Sequence, residues 1–222
     1  MRRSLHENAG CGAAPEDYRL DMSEQRNFPD WQELYRNTPA ESLPWYHAGL
    51  DPDLAQALER MQVARGRALD LGTGPATQAF ALAERGFDVT GTDLSHAAIE
   101  QAAAQAAQRG AAVRFVQDDI LDSRLDGRFD VVFDRGCFHV LPPDRRGDYV
   151  RALKRLVAPG GFFFLKCFSV LEPWTEGPYR FTPEEIREIF GAEFELLSSE
   201  ETVYQGTLNP LPRALFSVLR PR

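Results

Sequence analysis

The sequence predicts an α/β fold in which helices cover both faces of a doubly wound, largely parallel sheet. From residue 67 onward, short β-like runs alternate with helical stretches, a rhythm typical of successive βα units. Right-handed crossovers between such strands place helices on both faces of the sheet. A chain of 222 residues is long enough for one large domain with an appendage.

Changes in composition divide the chain into three segments. Residues 1–27 mix glycine, proline and charges without an apolar period, which predicts a mobile arm. Residues 28–66 begin with an aromatic-rich stretch and continue into a helix that starts at Pro52, so we expect an N-terminal helical and aromatic cap. Residues 67–222 carry the alternating pattern of the main domain.

The main domain begins with five predicted strands and the three helices between them. The strands are expected at 67–72, 87–93, 113–117, 129–134 and 162–168, and the helices at 76–85, 96–108 and 144–157. The third helix carries Tyr149, Leu153 and Leu156 at i, i+4 and i+7, which gives it one apolar face.

The last part of the chain is predicted to close the sheet. The Pro-Gly-Gly sequence at 159–161 indicates a turn before the fifth strand, and the Thr-Pro pair at 182–183 indicates the start of a helix. Two final strands are expected at 194–198 and 215–219, antiparallel to each other and joined by the Pro-rich segment 205–212.

Composition and charge exclude several classes of protein. The net charge of −8 is the wrong sign for affinity to phosphate backbones, so we expect a small-molecule partner and no nucleic acid. The apolar run at 162–165 is too short to cross a bilayer, and no secretory signal is present, which predicts a cytoplasmic protein without a membrane partner. Three cysteines without paired spacing argue against a disulfide framework and a zinc site.

The sharpest motif is a predicted strand that runs into a glycine turn and then a helix. Gly72 and Gly74 let the backbone approach a ligand closely. Position 77 is Thr, which breaks the Gly-x-Gly-x-x-Gly pattern and disfavours a nicotinamide cofactor. Asp70 would repel a pyrophosphate in that position but could anchor a ligand's ammonium group.

Acidic residues also end the next two predicted strands. Asp93 follows Asp70 at about the offset at which an acid accepts hydrogen bonds from ribose hydroxyls. Either Asp118 or Asp119 could accept from an adenine amino group, while Ile120 lies against the ring. Three successive strand ends therefore predict one site for an adenosine-containing ligand.

In order and spacing, these motifs resemble those of the class I S-adenosylmethionine (SAM) dependent methyltransferases over about residues 67–222. The matching segments are 69–74 (LDLGTG), 91–93 (GTD), 118–121 (DDIL), 129–134 (FDVVFD) and 156–161 (LVAPGG). The third glycine usual in the family is Ala76 here. The resemblance implies a Rossmann-like sheet of seven strands whose last strand is antiparallel, SAM as the methyl donor, S-adenosylhomocysteine as the product, and no metal.

A second, shorter resemblance concerns the segment 134–139 (DRGCFH) and the Pro-Trp pair at 44–45. Both are similar to the group that contains thiopurine, tellurite-resistance-type and other small-molecule methyltransferases. This resemblance implies transfer to sulfur, oxygen or nitrogen of a small aromatic or thiol acceptor. It also implies a roof made of the N-terminal aromatics, Phe138, His139, Trp174 and the 205–212 loop.

Two sets of site residues follow. His139 is the candidate base for a phenol acceptor, with Tyr46 and His47 behind it; the alternative is a structural histidine. The residues predicted to bind the donor are Trp31, Tyr35, Trp45, Asp70, Gly72, Gly74, Asp93, Leu94, Asp118, Asp119, Ile120 and Asp134. A non-catalytic SAM-binding subunit and a nicotinamide-dependent oxidoreductase remain as alternative functions, and the sequence does not predict the oligomeric state.

Overall fold

The structure, a computed structural model, describes residues 26–222 and contains one eight-stranded sheet within them. The strands are β1 (Arg67–Leu71), β2 (Asp88–Asp93), β3 (Val113–Gln117), β4 (Phe129–Arg135), β5 (Val157–Ser169), β6 (Arg180–Phe181), β7 (Phe194–Val203) and β8 (Arg213–Pro221). The main path runs β3-β2-β1-β4-β5-β8-β7, and β6 pairs with β5. Strand β8 is antiparallel to both β5 and β7, which confirms the predicted α/β fold.

Six α-helices accompany the sheet in the described part of the chain. They are α1 (Trp31–Asn37), α2 (Pro52–Arg60), α3 (Thr77–Glu84), α4 (His96–Arg109), α5 (Arg146–Leu156) and α6 (Pro183–Phe190). Thr182 opens α6 with a capping box to Glu185, and Asp51 caps α2 by accepting from the Asp53 N–H at 3.0 Å. These caps satisfy N–H groups that a helix start otherwise leaves free.

Alternate residues of the central strands enter two separate core layers. Val132 and Phe163 pack with α5 and α6, whereas Val131, Phe133 and Phe164 pack with α2, α3 and α4. The side-chain period of a strand is two, so neighbouring residues point to opposite faces. Both faces of the sheet are therefore covered.

Strand β5 differs from the prediction. The Pro-Gly-Gly sequence at 159–161, predicted as a turn, lies inside a strand that begins at Val157. The β4–β5 ladder pairs Phe129 with Val157 and then Val131 with Phe162, so the extra β5 residues form an irregularity. Gly160 adopts a φ of +80°, which explains why glycine at this position bends the strand without ending it.

The N-terminal cap lies beside the carboxyl ends of β1 and β2. Tyr35 and Leu43 pack on Ala97 and Ala98 at the start of α4, and Trp31 and Trp45 join the same cluster. The predicted mobile arm, residues 1–27, lies outside the described residues except for its last two. No helix between residues 26 and 222 combines the length and apolar character needed to cross a membrane.

Candidate functional site

A cavity of about 580 Å³ opens at the carboxyl edge of the sheet. One side, which we call the strand-end side, is lined by Gly72, Asp93, Leu94, Asp118 and Ile120. The other, the aromatic side, is lined by His139, Phe168, Trp174, Tyr204 and Leu208. The cap residues Trp31, Tyr35 and Trp45 also line the cavity, which makes it one continuous space large enough for two small ligands.

The glycine turn between β1 and α3 forms the floor of the strand-end side. Gly72 and Gly74 adopt φ values of +68° and +45°, in the left-handed region. A Cβ added to Gly74 would lie 2.5 Å from the Tyr35 hydroxyl oxygen, so the cap approaches this backbone closely. Ala76 also adopts a positive φ, +60°, at the position where the family usually has glycine.

Asp70 lies beneath this turn and does not line the cavity. Its Oδ2 accepts from the Thr73 hydroxyl at 2.6 Å and from the Ala79 N–H at 3.1 Å. The side chain is buried, and burial raises its pKa to about 6. Asp70 thus holds the turn and the first turn of α3, and its predicted contact with a ligand's ammonium group stays a prediction.

Asp93 reaches the cavity from the end of β2. Its Oδ2 accepts from the Gly74 N–H and its Oδ1 from the Ser95 N–H, both at 2.9 Å. Burial raises the pKa of this carboxyl group, and these backbone donors oppose that effect. Each carboxylate oxygen keeps further acceptor capacity, which suits a ligand that presents hydroxyl groups.

The structure distinguishes between the two acids after β3, which the sequence left open. Asp118 Oδ1 accepts from the Arg124 N–H at 2.9 Å, while its Oδ2 is buried without a hydrogen-bond partner among residues 26–222. Asp119 is exposed and caps a short 3₁₀ helix by accepting from the Leu121 N–H. A buried acceptor without a partner is costly, so Asp118 is the better match for an amino group on a ligand.

The cap presents aromatic faces and edges to the cavity. The rings of Trp31 and Trp45 meet edge to face at a centroid distance of 6.0 Å, and those of Tyr35 and Trp45 at 6.5 Å. Tyr46 packs in the same cluster but does not line the cavity. Tyr46 therefore contributes to the packing of the cap, and its predicted catalytic role stays a prediction.

Asp134 organises the loop after β4. Its carboxylate accepts from three backbone N–H groups, those of residues 136, 137 and 138, at 2.8 to 2.9 Å, and from the Tyr149 hydroxyl. It is fully buried, and burial raises its pKa to about 6. Asp134 does not line the cavity, and its predicted contact with the methyl donor stays a prediction. Phe138 likewise lies in the core and not in the roof.

His139 lies in this loop and lines the aromatic side. Its Nδ1 accepts from the Phe168 N–H at 3.3 Å, and its ring stacks on Tyr204 at a centroid distance of 5.7 Å. Burial and the nearby Arg135 lower its pKa to about 3. This geometry argues against the predicted general base, because a neutral histidine with that pKa rarely accepts a proton at pH 7.

Sequence reasoning missed a group of charged and polar side chains next to the aromatic side. We call it the charge cluster, and it consists of Asp51, Asp53, Arg135, Lys166 and Gln205. The fully buried Lys166 Nζ lies 2.8 Å from Asp51 Oδ2 and 2.6 Å from Asp53 Oδ2. Arg135 Nε donates to Asp51 Oδ2 at 2.9 Å. The sequence signal was a lysine in the middle of the otherwise apolar strand β5.

Arg135 also connects the cap to the aromatic side. Its guanidinium donates to the Trp45 carbonyl at 2.9 Å and to the Gln205 carbonyl, and it lies 4.5 Å from the centroid of the Tyr204 ring. Trp174 lines the cavity with 60% of its surface exposed. In the predicted roof loop 205–212, Leu208 and Pro212 line the cavity. Residues 26–222 contain no group of three or more side chains arranged to hold a metal ion.

Comparisons with known proteins agree with this geometry. Residues 68–161 match a family model described as a methyltransferase domain. The chain is similar to the 2-heptyl-1-hydroxyquinolin-4(1H)-one methyltransferase of Mycobacteroides abscessus, with 34% identity over 167 residues, which cover 72% of this chain and 73% of the relative.

Two solved structures share the fold. One, reported for the conversion of a disulfide bond into a thioacetal group during echinomycin biosynthesis, is 27% identical with a TM-score of 0.74, covering 86% of this chain and 90% of that one. The other is the 1,6-didemethyltoxoflavin-N1-methyltransferase of Burkholderia thailandensis with bound 1,6-didemethyltoxoflavin and S-adenosylhomocysteine. It is 24% identical with a TM-score of 0.64, covering 86% of this chain and 82% of that one.

Proposed function

The chain belongs to the class I SAM-dependent methyltransferases, and we propose that it methylates a heteroatom of a small planar aromatic acceptor held on the aromatic side of the cavity. One observation carries the proposal: the strand-end side and the aromatic side are parts of the same cavity. Donor and acceptor can therefore lie next to each other, and positioning of this kind supplies much of the rate in a direct displacement.

The strand-end side fits SAM. We assign the ribose hydroxyls to Asp93, the adenine amino group to the unpartnered Oδ2 of Asp118, and the adenine ring to Leu94 and Ile120, which line the same side. Gly72 lets the backbone approach the donor. SAM supplies an electrophilic methyl group on a sulfonium ion.

The aromatic cap suits the cationic part of that donor. Trp31, Tyr35 and Trp45 line the cavity between its two sides, and aromatic faces attract cations. Packed rings also exclude water from the reacting atoms. In this proposal the cap residues hold the sulfonium end of the donor, and they contribute no proton transfer.

The aromatic side favours a flat acceptor. His139 stacks on Tyr204, and the Phe168 ring meets both of them edge to face. Leu208 and Trp174 extend this apolar surface towards solvent. The name of the Mycobacteroides abscessus relative gives a hydroxyquinolinone as its acceptor, which supports a heteroaromatic ring in preference to an aliphatic thiol.

Mass spectrometry of the reaction tests the proposal. The purified protein is incubated with SAM and separate pools of hydroxyquinolinones, phenols, thiols and heteroaromatic amines. We expect S-adenosylhomocysteine and a product 14 mass units heavier in an aromatic pool. At subsaturating SAM, both should decrease in Asp93→Asn, which weakens the contacts with the methyl donor. SAM binding without product in any pool would favour a non-catalytic subunit, and tighter binding of NAD than of SAM would favour an oxidoreductase.

We also propose a cellular compartment and domain boundaries for this protein. The free thiols of Cys137 and Cys167 support a reducing compartment such as the cytoplasm. The negative net charge supports a site without a nucleic-acid partner. We retain 28–66 as the cap and 67–222 as the methyltransferase domain, because the aromatic cluster packs on α4 from outside the sheet.

A further inference from the structure

We propose that His139 is a fixed hydrogen-bond donor that orients the acceptor, and that the enzyme therefore methylates acceptors whose nucleophilic atom carries no proton at neutral pH. This inference rests on the proposed function and specifies its substrate class: acidic heteroaromatic hydroxyls or thiols, and unprotonated ring nitrogens.

The backbone of β5 fixes the tautomer of His139. The Phe168 N–H donates to Nδ1 at 3.3 Å, so Nδ1 is the acceptor and the proton of the neutral ring lies on Nε2. Nε2 has no hydrogen-bond partner among the described residues. An N–H group in that state is available to a ligand.

The ring cannot readily turn away from this orientation. Tyr204 stacks on one face with an interplanar angle of 26°, and the Phe168 ring meets it edge to face at 5.0 Å. The His139 carbonyl accepts from the Tyr179 N–H at 2.8 Å, which anchors its backbone. Nε2 lies 3.2 Å from where a Cβ on Gly136 would be, and both residues line the cavity. Nε2 is not one of the unpartnered side-chain atoms that the protein encloses fully, so a ligand in the cavity can reach it.

The groups around His139 disfavour its protonation. Arg135 approaches from the end of β4 and Tyr204 stacks on the ring from the segment after β7, while β5 contributes the apolar Phe168. Burial and the positive charge of Arg135 lower the pKa of His139 to about 3. The ring is thus neutral through the physiological pH range.

Tyr204 and Cys137, which also line the cavity, are poorly suited to remove a proton. The Tyr204 hydroxyl donates to the Arg135 carbonyl at 2.7 Å, and burial raises its pKa. Burial likewise raises the pKa of the Cys137 thiol. Glu176 is exposed at the rim, and Asp93 lies on the strand-end side.

The reaction balances without a base when the acceptor arrives unprotonated. Its lone pair forms the new bond to the methyl carbon as the carbon–sulfur bond breaks, and the electron pair of that bond returns to sulfur. With an anionic acceptor, the sulfonium cation and the anion become a thioether and a neutral methylated product. With a neutral ring nitrogen, the positive charge passes from sulfur to the methylated ring, and in both cases no proton is released. A hydrogen bond from Nε2–H would direct the acceptor by binding a second oxygen or nitrogen on its ring.

Nuclear magnetic resonance of protein labelled with nitrogen-15 in histidine tests the state of His139 without any acceptor. The chain has four histidines, and the signal absent from His139→Gln identifies this one. We expect a neutral ring protonated at Nε2 from pH 8 to pH 5. A ring that titrates above pH 5, or one protonated at Nδ1, would overturn the proposal.

Kinetics with a series of phenols tests the acceptor class. The probes are 4-nitrophenol, 4-cyanophenol, 4-chlorophenol and 4-methoxyphenol, in order of falling acidity. We expect kcat/KM to rise with pH up to the pKa of each phenol, so that the profile moves with the probe. If kcat/KM instead rises through the same pKa for all four phenols, that pKa belongs to the enzyme. This result would indicate a general base and contradict the inference.

Two variants of His139 distinguish a hydrogen-bond donor from a general base at this position. His139→Gln keeps a side-chain N–H but cannot act as a base, whereas His139→Leu keeps neither property. We expect the folded glutamine variant to keep an acceptor Kd and a kcat/KM about tenfold better than those of the leucine variant. Equal losses in both would contradict a donor role. If no phenol is methylated, the proposed function fails for this class while the spectrum still decides the state of His139.

Discussion

Replacing Asp51 with asparagine removes the shared anion of the charge cluster while keeping the shape of the side chain. Asp51 is fully buried, and its Oδ2 lies 2.8 Å from Lys166 Nζ and 2.9 Å from Arg135 Nε. Asparagine can still cap α2 through its side-chain oxygen. The variant therefore removes the negative charge and replaces the acceptor at Oδ2, which faces Lys166 and Arg135, with an NH2 group.

The expected cost follows from the burial of both cations. Removing one partner of a buried ion pair typically costs 3–5 kcal/mol, because it leaves an uncompensated charge. Lys166 keeps its contact with Asp53 at 2.6 Å, so we take the lower end, about 3 kcal/mol. For a chain of this size, each kcal/mol shifts Tm by roughly 2–4 °C, which gives a fall of about 6–12 °C.

Thermal unfolding followed by circular dichroism measures this fall. Arg60→Gln is the matched control, since its ion pair with Glu200 is 2.9 Å long but both side chains are largely exposed. Exposed pairs contribute about 0–1 kcal/mol, so the control should lose no more than about 4 °C. Equal shifts in the two variants would refute the reasoning that burial makes the charge cluster important.

The pH dependence gives a second check on Asp51. Burial raises the pKa of this carboxyl group, but Lys166 and Arg135 outweigh that effect and hold it below its ordinary value of 3.8. A lowered pKa in the folded state contributes stability that is present above the unfolded pKa and is lost as pH falls through the folded one. The Tm difference between wild type and Asp51→Asn should stay constant from about pH 8 to pH 5 and narrow below about pH 4. A difference that widens in acid would contradict this sign.

Three further predictions concern the donor site. Asp93→Asn should weaken SAM binding about ten- to a hundredfold by calorimetry, because charge-assisted hydrogen bonds become neutral ones. Asp118→Asn should weaken SAM affinity by about tenfold and Asp119→Asn by less than about twofold, so the reverse ranking would move the adenine contact to the exposed acid. Gly74→Ala should lower SAM affinity and Tm together, since its Cβ would lie 2.5 Å from the Tyr35 hydroxyl; unchanged values in both measurements would show that the cap moves freely.

The sequence could predict what depends on local geometry. Asp93 was found from its spacing because the ends of adjacent parallel strands meet at one edge of the sheet. The glycine turn was found because φ values of +68° and +45° favour glycine. Such features need only the order of strands and turns, so the α/β fold and the strand-end side follow from the chain alone.

The sequence could not predict where other acids at strand ends point. Asp70 and Asp134 occupy positions similar to that of Asp93, yet both turn into the protein and accept hydrogen bonds from their own loops. The competition between a ligand and nearby N–H groups is decided by tertiary packing, which a strand pattern does not encode. Lys166 was missed for the same reason, because its partner Asp51 lies 115 residues away.

Arg135 explains how the cap and the aromatic side keep a fixed relation to each other. It is the last residue of β4, and its planar guanidinium reaches the Trp45 carbonyl, the Gln205 carbonyl and the Asp51 carboxylate at once. A lysine could not serve all three, because its ammonium group lacks that divergent fork. Arg135 also lies over Tyr204, which stacks on His139. A movement of the cap that displaces the Trp45 carbonyl therefore disturbs the aromatic side through Arg135. The cap and the aromatic side are thus positioned by one side chain at the end of one strand.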